Sequence, residues 1–185
     1  MNERFAGDEA RWAAWMARAQ QGERAVYAEL LRELGRAIEA YVRVRFGAFE
    51  TLEDCVQECL MAVHAARHTY DPARPFRPWL FTIVRHRTID VLRQQATWRA
   101  ERWEEGDEEA VEAGSEHVQR RLDGAKLLAQ LSPDHREMIA LAKFGGYTTA
   151  EAAASLGISE SAAKARLHRA LEALRTILTR EELPT

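Results

Sequence analysis

Apolar residues return every three or four positions along most of this chain, a spacing that leaves packed helices as the only economical architecture. Tyr27, Leu30, Leu31, Leu34, Ile38, Tyr41 and Val42 line one such face, the repeat of an amphipathic helix and not of a strand. Phe46-Gly47 ends it. A second helix is predicted from about residue 52 to 68, with Val56, Leu60 and Val63 inward. Glu53, Asp54 and Glu58 sit towards its start, where carboxylates suit the positive end of the helix dipole. The stretch YDPARPFRP, Tyr70 to Pro78, then places three prolines close together and forces a loop. A third helix is predicted from about 78 to 95, with Leu80, Ile83, Val84 and Val91 on one face and Pro78 in its first turn. These elements make one compact unit, about residues 8–97.

The period is lost in WRAERWEEGDEEAVEAGSEHV, residues 98–118, which reads as a flexible acidic tether reaching to about 119. A second small domain follows, about 120–180. Leu127, Leu128 and Leu131 lead to Ser132-Pro133, an N-cap with proline at the first helical position. Met138, Ile139, Leu141 and Ala142 form the next apolar face, which Gly145-Gly146 breaks. Thr148-x-x-Glu151 is a capping box, Leu156-Gly157-Ile158 a tight turn, and Ser159 the cap of a last helix with Ala163, Leu167, Ala170, Leu171, Leu174 and Leu178 inward. The fold class expected is all-α, in two small helical domains.

The formal net charge of −3 conceals an alternation of sign that matters for partners. Residues 64–103 carry eight Lys/Arg against three Asp/Glu, residues 104–123 two against eight, and residues 143–180 six against three. Two basic blocks flank an acidic one. The charged N-terminus has no signal-peptide core, and no run of apolar residues is long enough for a membrane span. A cytoplasmic protein with no direct membrane insertion is expected. Cys55 and Cys59 share a face of one helix and point to no disulfide framework. With His64 and His68 they could suggest zinc, but all four fall on one predicted helix, and a tetrahedral site needs ligands from two segments. No metal and no other cofactor is expected; small buried thiols and a redox role for the cysteine pair both stay open. Glu53, Asp54 and Glu58 have no nucleophile, ligand motif or glycine loop beside them, so catalysis is not expected.

Two segments point to nucleic acid. TTAEAAASLGISESAAKARLHRALEALR, Thr148 to Arg175, combines a capped short helix, a glycine turn and a longer basic helix, which is a helix-turn-helix pattern. Lys164, His168 and Arg169 lie off its apolar face, near the end that enters a major groove. PFRPWLFTIVRHRTIDVLRQ, Pro75 to Gln94, interleaves Phe76, Trp79 and Phe81 with Arg77, Arg85, Arg87 and Arg93. Such rings stack on unpaired bases and such arginines track phosphates; equally, the rings are simply core.

Taken together, EDCVQECLMAVHAARHTYDPARPFRPWLFTIVRHRTIDVLR (Glu53 to Arg93) resembles region 2 of sigma-70 factors of the extracytoplasmic-function group. LSPDHREMIALAKFGGYTTAEAAASLGISESAAKARLHRAL (Leu131 to Leu171) resembles region 4 of the same group. Order, spacing and acidic tether agree, over residues from about 20 to 178.

The resemblance implies a transcription initiation factor and not an enzyme. It implies that Asp54, Gln57, Glu58 and Leu60 dock on core RNA polymerase. Tyr70, Phe76, Trp79, Arg85, His86, Asp90 and Arg93 would engage the −10 element, the Tyr70–Pro78 loop capturing a flipped base. Thr149, Lys164, Arg166, His168 and Arg169 would face the −35 element. It also implies an anti-sigma factor, of the kind often anchored in a membrane, and a linker that threads the polymerase. His86 stands where the group often has Asn, Ser161-Ala162-Ala163 where it often has Gly-Thr-Val, and Ala165 where Ser is common, which leaves the promoter sequence open. Two other readings are a self-sufficient helix-turn-helix repressor and a protein-binding adaptor, which would act without polymerase or without DNA.

Overall fold

The computed structural model describes residues 3–47, 49–102 and 127–181. Its helices are α1 (Glu3–Gln20), α2 (Arg24–Phe46), α3 (Leu52–Ala66), α4 (Phe76–Arg102), α5 (Pro133–Ile139), α6 (Thr149–Leu156) and α7 (Glu160–Glu181). A 3-10 turn, Arg67–Thr69, follows α3, and a π-helical turn, Ala140–Phe144, follows α5. No strand occurs among the described residues.

Helices α1 to α4 pack as a bundle whose core is built from large side chains. Met16, Leu30, Leu34, Ile38, Tyr41, Phe76, Leu80 and Phe81 are fully buried. Tyr41 and Phe81 lie with ring centroids 4.6 Å apart, and Phe76 meets Tyr70 edge-on at 5.0 Å. Burying such a side chain contributes about 1.5–3 kcal/mol.

Helix α1 precedes the first helix expected from the sequence, and it does more than add bulk. Trp12 and Met16, one turn apart, enter the core. The Glu9 carboxylate accepts hydrogen bonds from the backbone amides of Phe76 and Arg77, so a side chain from α1 satisfies orphan donors at the start of α4. Helix α4 therefore begins at Phe76, two residues before the expected Pro78. Gln20 Nε2 donates to the Arg67 and Tyr70 carbonyls at 2.8 and 2.9 Å, pinning the chain that leads into the proline loop.

Helix α4 also runs further than its apolar period suggests, to Arg102, so residues 98–102 are helical. The remainder of the acidic tether and the start of the second domain lie outside the described residues.

Helices α5 to α7 form the second unit, with a core of small residues: Ala152, Ala153 and Ala163, joined by Met138 and Leu141. Its punctuation follows the sequence. Ser132 Oγ accepts from His135 N at 3.4 Å, with Pro133 opening α5. Thr148 and Glu151 make both bonds of the capping box, at 3.2 and 2.7 Å. Gly157 takes φ +65° in the turn between α6 and α7, a left-handed conformation that glycine adopts without Cβ strain. Gly146, at φ +70°, lies against the Arg77 side chain of the first bundle.

The two units touch. Leu131, Ile139, Ala140 and Ala170 of the second belong to the same buried apolar cluster as the first. Arg77 crosses the seam. It is 4% exposed, lies over the rings of Trp12 and Phe81 at 4.6 and 5.6 Å, and donates from Nε to the Phe144 carbonyl at 3.2 Å. Burial lowers its affinity for the proton, and Asp8 and Glu9 nearby work against that.

Candidate nucleic-acid interface

On α3, Asp54, Gln57, Met61 and His64 form one exposed stripe. Leu60 is half-buried and packs against the core, whereas Met61 is 66% exposed. Met61 was not among the residues expected to dock; its signal in the sequence was an apolar residue in register with polar ones. Glu58 is tied down: Arg87 on α4 meets it at 2.5 Å. Helices α3 and α4 are thus joined by an ion pair.

On α4, Thr82, His86, Asp90 and Arg93 are exposed and share a face, with Arg85 half-buried at its edge. The aromatic residues divide. Tyr70 and Phe76 are 3% and 0% exposed, members of the core, and neither can stack on a base while that core is closed. Tyr70 Oη donates to the Arg74 carbonyl at 3.0 Å and so braces the loop from within; burial pushes its hydroxyl up to about 12. Trp79 is half-buried and donates from Nε1 to Thr69 Oγ1 at 3.1 Å. Residues 71–75 are exposed. The loop and part of Trp79 are therefore accessible, while the buried rings of Phe76 and Tyr70 pack beside Trp79.

On α7, Lys164, His168 and Arg169 are exposed, away from buried Ala163 and Ala170. Lys164 pairs with Glu160 at 2.8 Å and His168 with Glu172 at 3.2 Å. The exposed Lys164–Glu160 pair, four apart on the helix, is worth about 0.3–0.5 kcal/mol, little against a phosphate. Arg166 differs: it is half-buried and reaches Asp134 of α5 at 3.4 Å. Thr149 is the half-buried first residue of α6.

The cysteines face inward. Cys55 and Cys59 Sγ lie 3.7 and 3.5 Å from Thr88 Oγ1 on α4. The hydrogen bond between the two thiols holds Cys55 below the ordinary thiol range and pushes Cys59 above it. His64 Nδ1 turns instead to Tyr27 Oη at 3.0 Å, so imidazole and sulfur do not converge.

Two basic helical faces on separate units, the second in a helix-turn-helix, have counterparts among known proteins. Residues 30–97 match the family model for Sigma-70 region 2, and residues 125–174 that for Sigma-70 region 4. The chain is 40% identical over 168 residues to the ECF RNA polymerase sigma factor SigF of Caulobacter vibrioides, covering 90% of this chain and 93% of that one. The chain belongs to the ECF group of the sigma-70 family. Among solved structures it resembles CnrH in complex with the cytosolic domain of CnrY, at 30% identity and TM-score 0.61, over 92% of this chain and 98% of that one. It also resembles the sigma factor RpoE bound to the anti-sigma factor NepR from Bartonella quintana. That likeness has 26% identity and TM-score 0.63, over 83% of this chain and 96% of that one. As a sigma factor the protein directs core RNA polymerase to promoters and starts transcription there. No described helix is long and apolar enough to cross a membrane.

Proposed function

We propose that residues 8–97 dock on core polymerase and engage the −10 element, and that residues 120–180 engage the −35 element. One observation carries this: each unit presents exposed basic residues on the outer face of a helix, Arg93 on α4 beside His86, and Lys164 and Arg169 on α7 beside His168. Asp54, Gln57 and Glu58, with Leu60 beneath them, form the docking face on α3. At the −10 element, Arg85 and Arg93 track phosphates, and Trp79 with the loop before it receives an unpaired base. His86 and Asp90 lie one turn apart and contact the same strand. Tyr70 and Phe76 act by holding the loop and not by touching DNA in this conformation.

At the −35 element, Arg169 and Lys164 reach base edges or phosphates in the major groove. Thr149, at the start of α6, meets the backbone, and Arg166 braces α7 against α5. Each contact alone is weak; polymerase joins them on one body, so that the second binds as an intramolecular event. Melting draws on captured bases, which offset the cost of unstacking, and no nucleotide cofactor or catalytic group is needed. The protein works in the cytoplasm, where polymerase and chromosome meet.

The relatives bound to anti-sigma partners support an anti-sigma factor for this chain too. Its seat is the groove between the units, where Trp12, Leu128, Phe144 and Leu174 are rimmed by Arg36 and Lys143.

Run-off transcription from a promoter library with core polymerase tests the reading. Core-dependent initiation is expected; a footprint without core would favour a repressor, and neither result an adaptor. Asp54→Ala should weaken core binding with folding intact, and unchanged affinity would remove α3 from the docking role. Arg169→Ala should cost about 1–3 kcal/mol on the preferred −35 sequence if the contact is to a base. An equal loss on all sequences marks a phosphate contact.

A further inference from the structure

Where α5 crosses α2 and α4, a single carboxylate faces two guanidinium groups. Glu137 Oε1 lies 2.7 Å from Arg45 Nη2 and 3.2 Å from Arg85 Nη2, with Arg85 Nε at 3.3 Å. The three side chains are 13%, 14% and 24% exposed, so solvent screens them far less than the surface pairs elsewhere on the chain. Arg45 and Arg85 belong to the first unit and Glu137 to the second. Every bond in the cluster therefore spans the seam.

Around it, the Tyr147 hydroxyl donates to the Pro78 carbonyl at 3.1 Å and lies 2.9 Å from Thr82 Oγ1. Thr82 and Arg85 sit on the α4 face assigned above to DNA. A carboxylate oxygen between two arginines presents the negative charge and the acceptor that a phosphate would.

We infer that Glu137 is an internal latch: its carboxylate is anchored by Arg45, occupies Arg85 in place of a nucleic-acid phosphate, and holds the two units together off polymerase. Two features make the contact reversible. Its apolar part is incompletely closed: Leu131, Ile139, Ala140 and Ala170 are buried in it, but Leu128, Phe144 and Leu174 pack there only partly buried. Its polar part is imperfect: Arg45 Nε, in the cluster itself, is buried without a hydrogen-bond partner, and such an orphan costs free energy that opening would return. In the docked form α5 lies against the edge of the −10 face, so Arg85 cannot serve a phosphate and Glu137 together. Release exposes Arg85 and frees α7 to reach a separate site.

The inference rests on the assignment of Arg85 to DNA, and the test separates the two. Full-length chain without polymerase is titrated against a fluorescent 12-nucleotide single-stranded DNA of mixed sequence. Its radius of gyration is measured by X-ray scattering in the same buffer. Glu137→Gln keeps the size and removes the charge. It should enlarge the radius and tighten DNA binding by about tenfold, the change expected when a minor open form becomes the main one. Arg45→Gln, which lies outside the DNA set, should enlarge the radius as well. It keeps the test decisive if the first variant misfolds by circular dichroism. Arg85→Ala on the Glu137→Gln background should abolish the gain in DNA binding. Unchanged radius and DNA affinity in the folded variants would overturn the latch. An enlarged radius with no gain in DNA binding would keep the latch as a structural clasp and overturn the DNA role of Arg85 and the phosphate mimicry. Loss of core-dependent transcription by wild type would overturn the function, not the latch.

Discussion

The first bundle closes around rings and branched chains, the second around methyl groups. Tyr41, Phe76 and Phe81 fill the space between α1 and α4, whereas Ala152, Ala153 and Ala163 let α6 and α7 approach closely. Large side chains bury much surface, so the first unit has stability to spare for an unusual burial such as Arg77. Alanines bury little, and a unit of this size is marginal on area alone. What the alanine core supplies is a close and fixed crossing of α6 on α7, the geometry a helix-turn-helix needs. The second unit must draw the rest of its stability from caps, turns and its neighbour.

The largest effect should come from emptying the ring core. Phe81→Ala should cost about 3–5 kcal/mol, seen as a lowered urea midpoint for the first bundle. A loss below about 1 kcal/mol would mean that this core is not organised by its rings. Overfilling the alanine core tests the other half. Ala153→Leu should cost about 1–3 kcal/mol and weaken binding to a −35 duplex while leaving core binding intact. If the duplex affinity is unchanged, close approach of α6 and α7 is not what aims α7.

Caps come next: Thr148→Ala should cost about 1 kcal/mol, read as a lower thermal midpoint of the second unit alone. An equal shift of both units would show that they melt together. The smallest effect concerns the surface of the first bundle. Burial pushes the Glu33 carboxyl up, but hydrogen bonds from Trp12 Nε1 and Arg11, both 2.7 Å, outweigh it and leave the group below its ordinary value. A depressed folded value gives stability that is present above the unfolded value and lost as pH falls through the folded one. Glu33→Gln should therefore narrow its deficit to wild type on acidification; a deficit constant from pH 7 to pH 3 would deny Glu33 that role.

Much of this was legible in the sequence, and the reasons are local. Apolar spacing located α2, α3 and the body of α4, and Ser132, Thr148 and Gly157 marked the ends of α5 and α6 because caps and turns are decided by a few neighbouring atoms. What escaped depends on contacts distant in the chain. Helix α1 crowds Trp12, Trp15 and Met16 together, too short a run to mark a helix by its period, and the role of Glu9 at Phe76 spans 67 positions. The fate of the aromatic residues was equally non-local: Trp79 and Phe76 stand three apart on one helix, yet only the packing of Trp12 and Tyr70 decides which is covered. Leu60 and Met61 make the same point, adjacent in sequence and turned to opposite surroundings. Glu137 carried no signal at all, since nothing in the chain foretells that α5 will lie across α2 and α4.

Gly146 turns that crossing into a gauge. A Cβ there would come within 2.9 Å of Arg77 Cδ and 3.2 Å of its Cβ, a clash that exists only while the halves of the molecule are in contact. The backbone penalty of an alanine at φ +70° is paid whether they touch or not and cancels in the ratio of the two forms. One added methyl thus biases the population towards the parted state without altering any charge, and the tolerance of this position to substitution measures how much of its life the protein spends shut.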